Sequence, residues 1–136
     1  MTVVEKINNP ANYRPDPSEI PLSHVSRANG FLFLMGIGAR NKDGSLEGGD
    51  IRAQTRKCLE NARSILAACN ADFRHLVRVE CFLTDVDDTA GFNEVYREYI
   101  NDDPPARALL FIQGFRDKRM LVELVATAVD PDWPKR

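Results

Sequence analysis

The sequence predicts an α+β fold, a two-layer sandwich in which two helices cover one face of a five- to six-stranded sheet. Two stretches repeat apolar residues every three or four positions, and the runs around them alternate or are continuously apolar. An Asn29-Gly30 pair joins two extended runs and favours a hairpin, because both central residues of its turn need positive φ. A chain of 136 residues supplies one core of ordinary size, so we expect a single domain over residues 1–136.

The first half of the chain divides at its prolines and glycines. Four prolines up to residue 21 favour an irregular segment with one short edge strand near residues 3–7. Residues 23–28 and 31–37 are the arms of the hairpin, and the glycine-rich residues 38–49 form a loop. Asp50 is a suitable N-cap for the first helix, whose apolar stripe runs as far as Cys69.

The second half alternates strand, helix and strands. Residues 77–83 alternate as a strand, and Asp87 or Asp88 is expected to cap a second, shorter helix. Its apolar stripe consists of Phe92, Val95, Tyr96 and Tyr99. The remaining predicted elements are strands at residues 106–113 and 120–129, a turn at 114–118 and an irregular tail at about 130–136.

The composition excludes several classes of protein. Eighteen Lys and Arg scattered among 20 Asp and Glu form no basic stripe, so we expect no nucleic-acid partner. The longest apolar runs, 31–38 and 120–129, are too short to span a bilayer, and residues 1–12 lack an export signal. Three cysteines without metal-ligand spacing favour a reducing cytoplasm and no metal site. No sequence motif indicates an organic cofactor.

Several predicted strands are apolar on both faces, which has a consequence for assembly. Two helices cover only one face of the sheet, so the other would leave a large exposed apolar patch. Association of sheet faces around a symmetry axis would bury it. We therefore expect an oligomer.

Two charged residues interrupt apolar strands. Glu123 lies in the middle of the most apolar strand, where an unpaired carboxylate is costly. Arg107 begins a strand directly after two prolines. The pattern leaves two readings open: a structural ion pair or exposed edge position, or an arginine that grips a carboxylate while the glutamate handles a water molecule.

Five stretches together resemble the Rid (YjgF) family of enamine/imine deaminases. The resemblance covers about residues 23–129, and its combination of motifs is specific although each motif alone is not. The stretches are Gly49-Asp50-Ile51-Arg52-Ala53-Gln54-Thr55-Arg56, Leu59-Glu60-Asn61, Val79-Glu80-Cys81-Phe82-Leu83-Thr84-Asp85-Val86-Asp87-Asp88, Phe92-Asn93-Glu94-Val95-Tyr96 and Pro104-Pro105-Ala106-Arg107. The first of them is most similar to the 2-aminomuconate deaminase-like branch.

The resemblance implies a chorismate-mutase-like fold and a homotrimer with clefts between subunits. It also implies hydrolysis of 2-aminoacrylate-type enamines and imines, or of 2-aminomuconate, to a 2-oxo acid and ammonia without a cofactor. By the same resemblance Arg107 would bind the substrate carboxylate and Glu123 would activate water. The family's substrate contacts fall on the backbone of Gly36 and Leu109 and on Asn93.

The chain departs from the family at two positions. Leu22 and Met35 stand where a tyrosine and a serine are usual, which makes the expected pocket more apolar. His24, Arg27 or Arg40 is a candidate for a second carboxylate. The departures also keep open a non-catalytic, ligand-binding or regulatory trimer, and relatives with ribonuclease labels keep open a role on RNA.

Overall fold

The computed structural model describes residues 4–134 and has six strands and two α-helices within them. The strands are β1 Glu5–Ile7, β2 Val25–Ala28, β3 Phe31–Leu34, β4 Leu76–Leu83, β5 Ala106–Phe111 and β6 Val122–Val129. The helices are α1 Ile51–Ala67 and α2 Thr89–Tyr99, and single 3-10 turns lie at Phe73–His75 and Val86–Asp88. The sheet order is β1-β2-β3-β6-β4-β5, with only β4 and β5 parallel among these pairs. The predicted α+β fold is confirmed.

Local signals position the hairpin and the first helix as predicted. Asn29 and Gly30 have φ of 49° and 85°, the positive values that a tight turn between β2 and β3 requires. Asp50 is the N-cap of α1, and its side chain accepts a hydrogen bond of 3.1 Å from the Ala53 N–H. These two features fix where the hairpin turns and where the helix begins.

The two faces of the sheet differ in burial. One face packs under α1 and α2, and its side chains form the core with Cys58, Leu59, Ala62, Ile65, Leu66, Phe92 and Val95 of the helices. The opposite face, called the open face below, leaves Phe33 48% and Leu110 42% exposed. The apolar, uncovered face expected from the sequence is therefore present in this chain.

Strand ends differ from prediction where side chains or bulges interrupt the ladder. The pairing of β3 with β6 shifts by one residue between Phe33↔Thr127 and Ile37↔Leu124, so β3 ends at Leu34. Strand β6 begins at Val122 because the Leu121 N–H donates to the Gln54 side chain instead of a strand.

Three further expectations need correction or lie outside the structure. The alternation of residues 77–83 predicts Val77 on the same side as Val79, but Val77 is 42% exposed at a register shift of β4. Asp88 is the N-cap of α2 but makes no side-chain cap hydrogen bond. Residue 3 of the predicted edge strand and residues 135–136 of the tail lie outside the described residues.

Candidate functional site

Glu123 projects from β6 on the open face of the sheet. It pairs in register with Phe82, while its neighbours Val122 and Leu124 point into the core. Within residues 4–134 its carboxyl group makes no hydrogen bond or ion pair, and burial raises its pKa. The structure therefore holds a partly buried acid whose proton affinity is increased and whose oxygens remain available to a ligand.

Gly36 lets the backbone approach this carboxyl group closely. A Cβ built at position 36 would lie 2.8 Å from Glu123 Oε2 and 2.9 Å from its Cδ. The reciprocal backbone hydrogen bonds between Ile37 and Leu124, of 2.7 and 2.9 Å, hold the two segments together. Only a residue without a side chain leaves space here, so Gly36 keeps one side of the carboxyl group open.

A cavity of about 580 Å³ contains Glu123. This volume is in the range of small-molecule sites. Leu22, Met35, Gly36 and Arg40 line the cavity with Glu123, so the structure brings together five of the residues singled out from the sequence. Further lining residues that the sequence did not assign to a site include Tyr13, Ile20, Arg116 and Met120.

Arg107 occupies the edge strand β5 and lines a different, smaller cavity of about 390 Å³. Its guanidinium carbon lies 4.8 Å from the ring centre of Tyr96 and 5.7 Å from that of Phe92. These cation–π contacts orient the group without occupying its N–H donors. No carboxylate within residues 4–134 pairs with Arg107, so the structural ion pair that the sequence left open is not observed in that part of the chain. Arg107 does occupy an exposed position on the edge strand.

Arg107 and Glu123 lie on opposite faces of the sheet. Arg107 pairs with Val79, which is buried beneath the helices, and Glu123 pairs with Phe82. Positions three residues apart on one strand project to opposite faces. A single chain therefore does not bring the two groups to one ligand, and a site that uses both needs a second copy.

Asn93 and Leu109 accompany Arg107. Asn93 lines the same small cavity from α2, and its buried side-chain oxygen has no hydrogen-bond partner among residues 4–134. Leu109 is half-buried two positions along β5, on the same face as Arg107. The unpaired amide oxygen requires a donor, which a bound ligand or water molecule would supply.

His24 does not join either group. It is 1% exposed, its Nδ1 accepts from the Asn9 N–H at 3.0 Å, and its Nε2 lies 2.9 Å from the Tyr13 carbonyl oxygen. Both ring nitrogens are thus engaged in holding the segment before β2. The described contacts of His24 are therefore structural and tie it to Tyr13, and its role as a substrate contact stays a prediction.

The raised pKa of Glu123 predicts how stability depends on pH. The folded chain holds this proton more tightly than the unfolded one, so stability is lost as pH rises above the ordinary value of 4.5. Glu123→Gln should therefore raise the free energy of unfolding at neutral pH and leave it unchanged below pH 4.5. Urea unfolding of the wild type and the variant at neutral pH and below pH 4.5, at one protein concentration, measures the difference in their free energies of unfolding. An equal difference at the two pH values would show that it does not arise from the Glu123 proton.

The described residues thus carry two separate features on a two-layer α+β protein, an acid in a largely apolar cavity and an arginine at an exposed sheet edge. Within residues 4–134 no three His, Cys, Asp or Glu side chains are grouped as metal ligands. In the same part of the chain, no helix is both long and apolar enough to cross a bilayer.

Comparison with known proteins identifies the family. Residues 13–130 match the family model described as Endoribonuclease L-PSP. The RutC family protein PH0854 of Pyrococcus horikoshii is 38% identical over 109 residues, covering 79% of this chain and 86% of that protein. The human 2-iminobutanoate/2-iminopropanoate deaminase is 29% identical over 108 residues, covering 78% and 79%.

A solved structure supports the same assignment. The Rid family protein YyfA of Yersinia pestis is 25% identical, with a TM-score of 0.86 over 93% of this chain and 98% of that one. The chain belongs to the Endoribonuclease L-PSP family, also called Rid or YjgF. The family expected from the sequence is confirmed, and its relatives support a deaminase-type function.

Proposed function

We propose that the protein is a hydrolytic deaminase of small imines and enamines that carry a carboxylate, releasing a 2-oxo acid and ammonia. The observation that supports this most is Glu123, a carboxyl group with a raised pKa and no described partner in an apolar cavity. A relative with 29% identity is named 2-iminobutanoate/2-iminopropanoate deaminase, after two imines of this class. Within the class, 2-aminomuconate is the finer candidate that the sequence suggests.

The reaction needs little covalent assistance from the protein. A protonated imine carbon is already electrophilic, so water can attack it and form a C–O bond. Glu123 would accept a proton from that water and deliver it to the nitrogen. The new hydroxyl group then gives its proton to Glu123 while the C=O bond forms, the C–N bond breaks and ammonia leaves. A carboxyl group with a raised pKa is better suited to both proton transfers than an ordinary glutamate.

Arg107 would hold the substrate carboxylate. Its side chain is oriented by Tyr96 and Phe92 and has no described anionic partner. A fork of N–H donors binds a carboxylate in two parallel hydrogen bonds and so fixes the position of the reacting carbon.

The two groups would meet between copies of the chain. They lie on opposite faces of one sheet, and the open face carries exposed apolar side chains such as Phe33 and Leu110. A cyclic homotrimer, as the family resemblance implies, would cover that face and place Arg107 of one copy near Glu123 of the next. The cytoplasmic location and the lack of a nucleic-acid partner stay predictions.

Release of ammonia from a freshly generated imine tests the proposal. An amino-acid oxidase acting on alanine or 2-aminobutyrate produces 2-iminopropanoate or 2-iminobutanoate in the assay. The protein should accelerate ammonia release over spontaneous hydrolysis, in proportion to its concentration. Binding of the corresponding 2-oxo acids without any acceleration would instead support the ligand-binding alternative that Leu22 and Met35 suggest.

A further inference from the structure

The Glu123 cavity contains two arginines that the proposed reaction does not use. Arg40 and Arg116 both line it, on the loop after β3 and the loop before β6. The second loop, residues 116–119, contains three cationic residues and one anionic residue. This end of the cavity therefore has an excess of positive charge.

Arg40 is held in place by several contacts. Its Nη2 lies 3.2 Å from Asp117 Oδ2 and 3.7 Å from the Met120 sulfur, and its Nη1 donates to the Gly44 carbonyl oxygen at 3.3 Å. Asp117 also binds Arg119, whose guanidinium lowers the Asp117 pKa, so this carboxylate stays charged. Arg40 is therefore an oriented cation. Asp117 neutralises its charge only in part, because the same carboxylate also pairs with Arg119.

Arg116 differs because it has no described partner. Its side chain is exposed, and within residues 4–134 it makes no ion pair or hydrogen bond. Asp117, the nearest anion in sequence, already binds Arg40 and Arg119. The guanidinium of Arg116 is therefore available to an anion that enters the cavity.

The segment from Gly36 to Arg40 connects Glu123 to the cationic end of the cavity. Gly36 abuts Glu123, Gly38 abuts the Met120 side chain, and Arg40 follows on the same segment. Four residues span at most about 14 Å when fully extended. The wall between acid and cations is apolar, with Met35 and Met120, so it fits a carbon chain.

We propose that Arg116, with Arg40 beside it, forms a second carboxylate subsite, and that the preferred substrates are dicarboxylic imines or enamines. This inference depends on the proposed deaminase function, since Arg107 and Glu123 would act on the other end of the same molecule. Arg27, also a candidate from the sequence, is excluded because it is 8% exposed and pairs with Glu5 and Asp130.

Two imines that differ only in a terminal carboxylate test the subsite. An amino-acid oxidase generates 2-iminoadipate from 2-aminoadipate and 2-iminohexanoate from norleucine. The wild-type protein should hydrolyse 2-iminoadipate with the higher kcat/KM. Arg116→Ala should lower that value about tenfold, mainly through KM, and leave 2-iminohexanoate unchanged. Lys118→Ala, which removes an equal charge from the same loop outside the cavity lining, should change neither.

The outcomes separate this proposal from the reaction itself. Equal loss for both imines in Arg116→Ala, or no loss for either, would overturn the subsite. Failure of the wild-type protein to hydrolyse any imine would overturn the reaction. In that case, calorimetric titration of the protein with 2-oxoadipate and, separately, with 2-oxohexanoate tests the subsite without the reaction. Tighter binding of the dicarboxylate that Arg116→Ala removes supports the subsite, and equal affinity for the two acids contradicts it.

Discussion

Replacement of Arg107 by alanine should lower kcat/KM for imine hydrolysis by about 10²- to 10³-fold. The substitution removes the fork of N–H donors that positions the substrate carboxylate. Among the described residues that line the same cavity, Arg97 of α2 is the one other arginine. The fold should persist, because the side chain is exposed and its contacts with the rings of Phe92 and Tyr96 lie at the surface edge of the sheet. Steady-state kinetics with 2-iminobutanoate measures the effect.

Two variants make this result specific. Arg107→Lys should recover little, because a lysine keeps the charge but lacks the two parallel donors. Arg74→Ala removes an exposed arginine that pairs with Asp72, and it should leave the kinetics unchanged. Activity in Arg107→Ala equal to that of Arg74→Ala would exclude the carboxylate role.

Glu123→Gln should lower kcat by about 10²- to 10⁴-fold, the range of a lost general acid–base group. Its carboxylate form must accept the proton of water, so wild-type activity should fall as pH drops through the raised pKa of Glu123. That acid limb should lie above the range of an ordinary glutamate and should be absent from the residual activity of the variant. A pH profile of kcat/KM for both proteins measures it.

Glu94→Gln is the matched control for this substitution. Glu94 lies on α2 in an exposed ion pair with Arg52, and such pairs contribute little. The control should keep the wild-type rate and pH profile. An unchanged acid limb in Glu123→Gln would assign the titration to a different group.

Much of the fold could be predicted because its signals are local. Asn29-Gly30 specifies the hairpin through positive φ, and Asp50 specifies the start of α1 through its hydrogen bond to Ala53. The one-residue bulge near Gly36 gives no such signal, since both faces of residues 31–37 are apolar. Its position depends on how β3 and β6 pair across nearly the whole chain.

The site could be predicted only in part for the same reason. Glu123 stands out because a carboxylate interrupts an apolar strand, whereas Arg116 lies among charged loop residues and gives no comparable contrast. The environment of His24 depends on the packing of Asn9 and Tyr13 over it, which periodicity does not encode. Placement of Arg107 and Glu123 on opposite faces required the register of three strands.

Complementation between two inactive variants tests the central claim, that each site combines Arg107 of one copy with Glu123 of another. Arg107→Ala and Glu123→Gln chains, unfolded together in equal amounts and refolded, should form mixed oligomers. In a closed ring, about a quarter of the sites would then receive both native residues, whatever the number of copies. Activity near a quarter of wild type is the expected result, and a mixture no more active than either variant alone would contradict the shared site.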